Sequence, residues 1–431
     1  MSSKLNKARY RLIFFAAAIL TVIILVAILI LLPLKYITKE DISEYYKQYE
    51  FLRLDKNHIV FTSDKEERDL KECLSRVEEG VAPLKILHIG DSHIQADFFT
   101  GETRRLLSAW LDKNYTARGF TFPYHIIGSN NPDDYKVTWS GIWKRNRIGD
   151  AHNPKLGVAG ISMQTTEIAS EFEVSLNSPW SLYQTFDMVN IFYDCTNSSV
   201  IPYLKEEAEL VHQSLNSVTY HFTKPLSNFS VGINWKDNEG DVFNLYGFNL
   251  INSKSRVKYH AAGVNGATVT TFLKSANFER QLALLNPQIV IISIGTNDAY
   301  NNSFSSSHFR SNLNELVRRV KKYKENPIVI LSTPGNHLVD KHKTNPMLRK
   351  VQHDIKKVAK QTECGVWDFY EVMGGEGSIE LWHEFGLSAP DKLHLNREGY
   401  RLQGNLLFDA LLEFSSTDPH KIRRENIFVD E

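Results

Sequence analysis

The sequence predicts an α/β fold whose parallel sheet is interrupted by a β-rich insertion. After residue 255, short apolar runs that are typical of buried strands alternate with segments of helical periodicity. This alternation indicates a doubly wound parallel sheet. Between about 118 and 254, β-like runs follow one another without intervening helices, a pattern that favours a β-sandwich or jelly roll.

A further strand of the same sheet lies before the insertion. Leu84–Ile89 is a short apolar run, Gly90 and Asp91 end it, and Ser92 follows where the chain turns into a helical segment. The β-rich region is therefore inserted into one α/β domain rather than appended to it. A serine at such a turn suits two uses, an N-cap or a reactive hydroxyl at a helix start.

The remaining elements are predicted in chain order. After the insertion, we expect strands at 257–262, 288–294, 327–332 and 366–369, and helices at 271–285, 311–323, 348–360 and 397–414. Within the insertion, β-like runs fall at 119–127, 135–143, 180–193, 218–222, 229–235 and 242–251. The turn-like segment Asp237–Gly240 predicts a hairpin between the last two of these runs.

The N-terminus predicts a membrane anchor. Residues 12–34 are apolar apart from Thr21 and Pro33, which at ~1.5 Å per residue is long enough to cross a ~30 Å hydrocarbon core. The basic residues within 1–11 place this tail in the cytoplasm and the body outside it, in the periplasm or the extracellular space. A cleaved signal peptide is the alternative, although its apolar region is usually ~7–15 residues. The charged segment 35–82 is expected to be a stalk or packing helix between membrane and body.

Composition argues against several partners. The 50 basic residues balance 50 acidic ones, so no global charge favours nucleic acid. The cysteines Cys73, Cys195 and Cys364 lie too far apart to indicate a metal site or a cysteine scaffold. One disulfide with a free thiol is compatible with the count, and buried thiols that pack as small hydrophobes are the favoured role.

Chemistry is expected outside the carboxyl ends of the parallel strands, where open α/β sheets bind ligands. Four loops there carry polar residue types: Gly90–His93, Gly263–Ala267, Gly295–Asp298 and Asp391–His394. These types suit acyl transfer from a serine, which needs a base and a partner that fixes the tautomer of that base.

The roles follow from the residue types. We predict Ser92 as the nucleophile, His394 as its base and Asp391 as the partner of the imidazole. His93 is beside Ser92 but is not the predicted base, because His394 comes with its own carboxylate. The tetrahedral oxyanion needs hydrogen-bond donors, which the Ser92 amide, the Gly266 amide and the side-chain amide of Asn297 would supply.

The four blocks resemble those of the SGNH (GDSL-like) hydrolase family in type and order, namely Gly90-Asp-Ser-His, Gly266, Gly295-Thr-Asn-Asp and Asp391-Lys-Leu-His. The resemblance covers about 83–114 and 257–414. It implies a flavodoxin-like three-layer α/β/α fold and ester hydrolysis without a metal or other cofactor. It also implies the roles given above for Ser92, Gly266, Asn297, Asp391 and His394. Gly263 is the competing glycine, but Asn-Gly-Ala-Thr is closer to the small-Gly-x-Thr pattern of the family.

The insertion sets this chain apart from the commonest members of that family. About 170 residues separate Ser92 from Gly266, where a few tens are usual. An SGNH domain split in this way, with Gly-Val-Asn-Gly-Ala in its second block, is similar to bacterial peptidoglycan O-acetylesterases, in which the insert resembles a carbohydrate-binding jelly roll. Core packing is the commoner use of a tryptophan, but four in the insertion are candidates for stacking on sugars: Trp139, Trp143, Trp180 and Trp235.

The expected protein is a membrane-anchored serine esterase that removes O-acetyl groups from a cell-envelope polysaccharide, with peptidoglycan as the first choice. A polysaccharide O-acetyltransferase with the same triad and a non-catalytic sugar-binding envelope protein are the alternatives. The predicted organisation is a cytoplasmic tail (1–11), an anchor (12–34), a stalk or helical linker (35–82), a hydrolase domain in two parts (83–117 and 255–416), the insertion (118–254) and a C-terminal tail (417–431).

Overall fold

A computed structural model of the chain describes residues 46–111, 117–150, 155–177, 185–197, 200–234, 240–300, 303–323 and 326–415. Within these ranges, no helix has both the length and the apolar character needed to cross a membrane. The predicted anchor at 12–34 and the predicted tail at 417–431 lie outside the described residues.

The strands, in chain order, are β1 (Ile59–Val60), β2 (Leu84–Gly90), β3 (Gly119–Thr121), β4 (Tyr135–Ser140), β5 (Lys144–Arg147), β6 (Ile161–Thr165), β7 (Ala169–Leu176), β8 (Phe186–Cys195), β9 (Tyr203–Leu204), β10 (Glu209–Gln213), β11 (Ser217–Leu226), β12 (Asn228–Asn234), β13 (Phe243–Ile251), β14 (Val257–Gly263), β15 (Ile289–Ser293), β16 (Ile328–Ser332), β17 (Leu338–Val339), β18 (Lys343–Thr344) and β19 (Gly365–Trp367). The α-helices are α1 (Asp64–Glu78), α2 (Ser92–Gln95), α3 (Phe98–Leu111), α4 (Val269–Leu273), α5 (Phe278–Leu285), α6 (Thr296–Ala299), α7 (Ser306–Lys321), α8 (Leu348–Thr362), α9 (Phe369–Val372), α10 (Ser378–Glu384) and α11 (Arg397–Leu412). Short 3₁₀ turns lie at Leu54–Lys56 and Tyr124–Ile127.

Six strands form a mostly parallel sheet in the order β1-β19-β16-β15-β2-β14. All neighbours run parallel except β1, which pairs antiparallel with β19 at one edge. Counted along the chain, the five parallel strands have the spatial order 2-1-3-4-5, which is the flavodoxin-like doubly wound order. The predicted α/β class and its flavodoxin-like sheet are confirmed.

The central strands are apolar runs without alternation because both faces of the sheet are covered. Ile289–Ile292 of β15 is almost completely buried, and so is Val329–Leu331 of β16. Helix α8 buries one face against the sheet. In α8 the buried positions Leu348, Val351 and Ile355 recur at the spacing of an amphipathic helix.

Residues 46–82 pack against the sheet instead of forming a stalk. Ile59 of β1 lies opposite Trp367 of β19, and α1 buries one face that includes Leu70 and Val77. The stalk prediction is therefore wrong for these residues, and the packing helix that was its alternative is present as α1. A two-residue strand has no local sequence signal, because its pairing depends on a partner some 300 residues away.

The insertion folds into two antiparallel sheets. One has the order β10-β11-β8-β13-β6-β5 with β3 also paired to β13, and the other has the order β4-β7-β12-β9. Aromatic rings fill the space between them. The ring centroid of Phe248 on β13 lies 6.2 Å from that of Phe172 on β7 and 5.2 Å from that of Phe229 on β12. This arrangement is a β-sandwich, as predicted, whereas jelly-roll connectivity stays a prediction.

The predicted hairpin at Asp237–Gly240 is wrong. Strand β12 pairs with β7 and β9, whereas β13 pairs with β3, β6 and β8. The two strands therefore lie in different sheets, and Phe229 and Phe248 face each other across the core. Most of the predicted turn, 235–239, lies outside the described residues. Strand β7 was not predicted, although its buried Phe172, Val174 and Leu176 alternate with polar residues.

The candidate sugar-stacking tryptophans differ in their surroundings. The Trp143 ring is buried in the sandwich, with its centroid 6.0 Å from that of Phe172 and 6.5 Å from that of Phe243. Trp139 is 42% exposed and its ring centroid lies 5.6 Å from that of His125. The other two lie outside the described residues, namely Trp180 and Trp235.

The three cysteines are free thiols. Burial raises the pKa of Cys73 and of Cys364 to about 11. Both therefore stay protonated at neutral pH, and the thiolate is the reactive form of cysteine. Their environment agrees with the predicted role of small packing residues.

Candidate active site

Three loops leave the sheet at one edge because the strands before them end in register. Gly90 at the end of β2 pairs with Gly263 of β14 on one side and with Ser293 of β15 on the other. The boundary between β2 and β15 is the point where the strand order reverses, and doubly wound sheets bind ligands at such switch points. The residues that follow these strands therefore converge.

Ser92 is the first residue of the short helix α2. The N-cap of this helix is Asp91, whose side chain accepts a hydrogen bond from the backbone N–H of His93 at 3.1 Å. Ser92 is thus not the cap, and its hydroxyl makes a different contact. Ser92 Oγ lies 2.9 Å from Nε2 of His394.

His394 is held by Asp391 in the loop before α11. Its Nδ1 lies 2.7 Å from Asp391 Oδ2, while Asp391 Oδ1 accepts bonds from the backbone N–H groups of Leu393 and His394, each at 3.0 Å. Burial acts to raise the pKa of Asp391, but the bonds donated by His394 and Leu393 outweigh it and leave the pKa below its usual value. Because the ionised carboxylate accepts the Nδ1 proton, Nε2 faces Ser92 as an acceptor.

Gly266 lies in a tight turn that follows β14. Ala267 N donates to Val264 O at 3.0 Å, and Gly266, the third residue of this turn, has a φ of 79°, as a type II turn requires. A Cβ built at Gly266 would meet no atom within 4 Å, so the backbone angle and not space calls for glycine. Among the described residues, none accepts a hydrogen bond from the amide of Ser92 or of Gly266.

Asn297 lies in the third loop, in the short helix α6. Its Nδ2 donates to Ala267 O at 3.0 Å and lies 3.4 Å from Asp91 Oδ2. The first bond fixes the side chain next to the Gly266 turn. The contact with Asp91 Oδ2 is long, so one of the two hydrogens of the Asn297 amide makes only a weak hydrogen bond.

Gly263, the competing glycine, has a packing role. A Cβ there would lie 2.7 Å from Asp91 O, 2.7 Å from Gln95 N and 2.8 Å from Ile94 Cβ. The close approach of α2 to the end of β14 therefore requires glycine at this position.

His93 lies beside the triad without contacting Ser92 Oγ. Its ring centroid is 5.1 Å from that of His394, and its Nδ1 lies 2.8 Å from the hydroxyl of Tyr400. Burial lowers the pKa of His93 to about 3, and the nearby charge of His394 acts in the same direction. His93 is therefore a neutral imidazole that shares a hydrogen bond with the hydroxyl of Tyr400.

The sequence analysis missed the buried polar groups that support these loops. Burial raises the pKa of Asp91 to about 6 and that of Asp298 to about 7. Gln95 is buried as well, and its amide joins the Gly266 turn to the insertion. Nothing in the sequence singles out Gln95, since its partners lie 35 and 170 residues further along the chain.

A flavodoxin-like sheet with a serine, a histidine and a carboxylate in contact at its switch point is the arrangement of an SGNH-type serine hydrolase. Residues 229–402 match the GDSL-like lipase/acylhydrolase family. The chain is similar to this family over that segment, and the protein is a carboxylic ester hydrolase. Ser92 precedes the matched segment because the insertion separates the first strand of the sheet from the others.

Solved structures with the same fold include a peptidoglycan O-acetylesterase, with a TM-score of 0.67 and 22% identity over 80% of this chain and 95% of that chain. Because 80% of the chain is covered, the shared fold extends into the insertion. The lipase/acylhydrolase from Enterococcus faecalis has a TM-score of 0.29 and 25% identity over 36% of this chain and 74% of that chain. The acetylxylan esterase from Geobacillus stearothermophilus has a TM-score of 0.29 and 20% identity over 37% and 72%. No curated protein matches the sequence.

Proposed function

We propose that this protein is a serine acetylesterase that removes O-acetyl groups from a cell-envelope polysaccharide. The observation that carries the proposal is the pair of contacts that links Ser92 through His394 to Asp391, at 2.9 Å and 2.7 Å. This is the arrangement by which a base activates a hydroxyl and a carboxylate orients the base.

The reaction has two halves. Ser92 Oγ attacks the acetyl carbonyl carbon while His394 Nε2 takes the hydroxyl proton. The tetrahedral oxyanion is bound by the amides of Ser92 and Gly266 and by Asn297 Nδ2. The C–O bond to the sugar then breaks, His394 protonates the departing sugar oxygen, and acetyl-serine remains.

Water completes the cycle. His394 Nε2 removes a proton from a water molecule, whose oxygen attacks the acetyl carbonyl and regenerates the same oxyanion. The bond to Ser92 Oγ breaks, Oγ recovers its proton from His394, and acetic acid leaves and ionises to acetate in solvent. Each step uses groups of this chain and water alone.

Peptidoglycan is the first substrate that we propose. Its support is the fold shared with a peptidoglycan O-acetylesterase over 80% of this chain, which extends into the insertion. We further propose that residues 12–34 anchor the protein in the inner or cytoplasmic membrane with the hydrolase domain outside the cytoplasm. Fractionation would test this, since deletion of these residues would move the protein from the membrane pellet to the soluble fraction.

The test of the reaction uses the full-length protein in detergent with p-nitrophenyl acetate and with O-acetylated peptidoglycan. We expect acetate release from both, and a loss on the order of 10³–10⁶ in kcat for Ser92→Ala. Ser175→Ala, in strand β7 of the insertion, is the matched control and should keep the full rate.

Other results would redirect the proposal. Equal rates for wild type and Ser92→Ala would remove the serine mechanism. Hydrolysis of the small ester beside untouched peptidoglycan would point to another polymer. Acetyl transfer to an added sugar that outpaces hydrolysis would make the protein an O-acetyltransferase.

A further inference from the structure

Gln95, the last residue of α2, connects two loops that flank the proposed nucleophile. It is only 2% exposed. Its Oε1 accepts a hydrogen bond from the backbone N–H of Asn265 at 2.8 Å. Its Nε2 donates to Ser129 Oγ and to the backbone carbonyl of Asn130, both at 2.9 Å, and lies 3.0 Å from Asn130 Oδ1.

The orientation of the Gln95 amide is fixed by its partners. The backbone N–H of Asn265 can only donate, so the Gln95 oxygen must face it. The backbone carbonyl of Asn130 can only accept, so the NH₂ group must face the insertion. A flipped amide would lose both bonds and leave buried polar groups unpaired, which is costly.

The two loops also touch each other around Gln95. Asn265 Nδ2 donates to Asn130 Oδ1 at 2.9 Å and lies 3.4 Å from Ser129 Oγ. Asn265 precedes Gly266 in the turn that ends at Ala267. A bond to the amide of Asn265 therefore restrains the residue next to the Gly266 amide.

We propose that Gln95 is a positioning residue of the oxyanion hole. It ties the Asn265–Gly266 turn to the Ser129–Asn130 loop, so that the insertion holds the Gly266 amide at the place where the oxyanion forms. This inference rests on the proposed function, because it takes Gly266 as an oxyanion donor. The insertion is then part of the catalytic apparatus as well as a separate sandwich.

Two variants of Gln95 distinguish the hydrogen bond to Asn265 from the hydrogen bonds to the Ser129–Asn130 loop. Gln95→Leu has a similar volume and loses the bonds to both loops. Gln95→Glu keeps an oxygen for the N–H of Asn265 but, when ionised, places an acceptor against the Asn130 carbonyl. Asn130→Ala removes the side-chain contacts of an exposed residue and gives a third variant that should fold whatever happens to the other two.

Gln281→Leu is the matched control. Gln281 is also 2% exposed, and its Oε1 accepts a bond from the backbone N–H of Val158 in the insertion at 2.6 Å. It therefore makes the same kind of link between a hydrolase helix and the insertion, but its hydrogen bond goes to Val158 and not to the Gly266 turn. Loss of a buried glutamine as such should affect both variants equally.

We expect Gln95→Leu to lower kcat for p-nitrophenyl acetate about 10–100-fold and to change KM by less than about threefold. Removal of an oxyanion-hole donor lowers kcat by ~10²–10³, and a donor that is only loosened should cost less. Acylation and deacylation both pass through an oxyanion, so kcat falls whichever step limits it. Asn130→Ala should lower kcat about 3–10-fold by the same route. Gln281→Leu should keep kcat within about twofold even where its melting temperature falls.

The pH profile gives a second readout. Activity of Gln95→Glu relative to wild type at the same pH should rise as pH falls, because a protonated carboxyl can donate to the Asn130 carbonyl. A kcat in folded Gln95→Leu or Gln95→Glu that matches Gln281→Leu would overturn the proposal, and so would a loss confined to KM. Full activity in Ser92→Ala would instead overturn the proposed function, so the two failures are distinguishable.

Discussion

Ser92 Oγ lies 2.9 Å from His394 Nε2 although 302 residues separate them in the sequence. Ser92 begins α2 at the end of β2, and His394 lies just before α11. Helix α11 lies against α3, which follows α2, and Thr103 Oγ1 of α3 reaches the carbonyl of Gly404 in α11 at 3.4 Å. Packing between these helices thus brings the two reactive groups together.

The first prediction concerns the partner of His394. Asp391→Asn keeps the shape of the side chain but removes the ionised acceptor that holds the Nδ1 proton, so we expect kcat/KM to fall on the order of 10²–10⁴. The melting temperature should change little, because Asp391 is partly exposed. Acetate release from p-nitrophenyl acetate measures the effect, with Asp55→Asn, an exposed carboxylate paired with Lys56, as the control. A rate within threefold of wild type would contradict the role of Asp391.

The second prediction separates the two glycines of the Gly263–Ala267 loop. In Gly263→Ala the new methyl would press on Asp91 O and Gln95 N, both 2.7 Å away, at a cost of about 1–3 kcal/mol. Gly266→Ala has room for the methyl group, so only the positive φ should lower its free energy of unfolding, by about 1–2 kcal/mol. Denaturant unfolding and kcat should both show Gly263→Ala as the more damaged variant, and the opposite order would argue against the packing role of Gly263.

The third prediction concerns a buried ionic cluster between the hydrolase domain and the insertion. Arg118 places Nη2 2.9 Å from Asp97 Oδ2 and Nε 2.9 Å from Asp134 Oδ2, and Arg104 Nη2 lies 2.6 Å from Asp97 Oδ2. The Arg118 Nε contact is an ion pair without hydrogen-bond geometry. Removing one cation leaves carboxylates buried, so Arg118→Met should lower the free energy of unfolding by about 3–5 kcal/mol.

Two further variants test the same cluster. Arg145→Met, at an exposed position of β5, should change stability by less than about 0.5 kcal/mol. Adding Asp134→Asn to Arg118→Met should restore part of the loss, because the uncompensated charge is removed. Strict additivity of the two changes would show that Arg118 and Asp134 do not interact.

The fourth prediction is a pH dependence of stability. Burial raises the pKa of Asp298 to about 7, so between about pH 4 and pH 7 the folded state keeps a proton that the unfolded state has lost. The contribution of this carboxyl to stability therefore declines as pH rises through that window. Asp298→Asn should be more stabilising at pH 8 than at pH 5, by on the order of 1–2 kcal/mol.

Asn at position 298 can still accept the bond from the backbone N–H of Val269, so the comparison isolates the charge. Denaturant unfolding of both proteins at the two pH values measures the difference. An equal effect at pH 5 and pH 8 would mean that Asp298 is ionised throughout. Asp340→Asn, at an exposed carboxyl, serves as the control.

The sequence predicts the parallel sheet because strands such as Ile289–Ser293 are continuous apolar runs. A strand needs apolar side chains on both faces when helices cover both faces of its sheet. The sequence could place the proposed site residues at one edge of the sheet because each lies directly after a strand or before a helix. The single helix predicted at 271–285 is two helices, α4 and α5, because Asn277 starts a new one and donates its N–H to Leu156 of the insertion.

Other features could not be predicted because their causes are not local. The assignment of β12 and β13 to different sheets depends on aromatic packing across the sandwich, which no turn residue encodes. The link from Gln95 to Asn130 and Asn265 joins three loops that only the folded chain brings together. The edge strand β1 exists because β19 offers it a partner.

The position of the insertion also determines when the enzyme can first work. Strand β2 is made early, but its neighbours β14 and β15 are synthesised only after the whole sandwich, since Leu84 pairs with Val257. The apolar strand β2 of a growing chain therefore stays unpaired while the insertion is synthesised. Unpaired strands of this kind are prone to aggregate. The proposed nucleophile acquires its proposed base only when residue 394 has been made, so we expect a polypeptide released before that point to lack esterase activity.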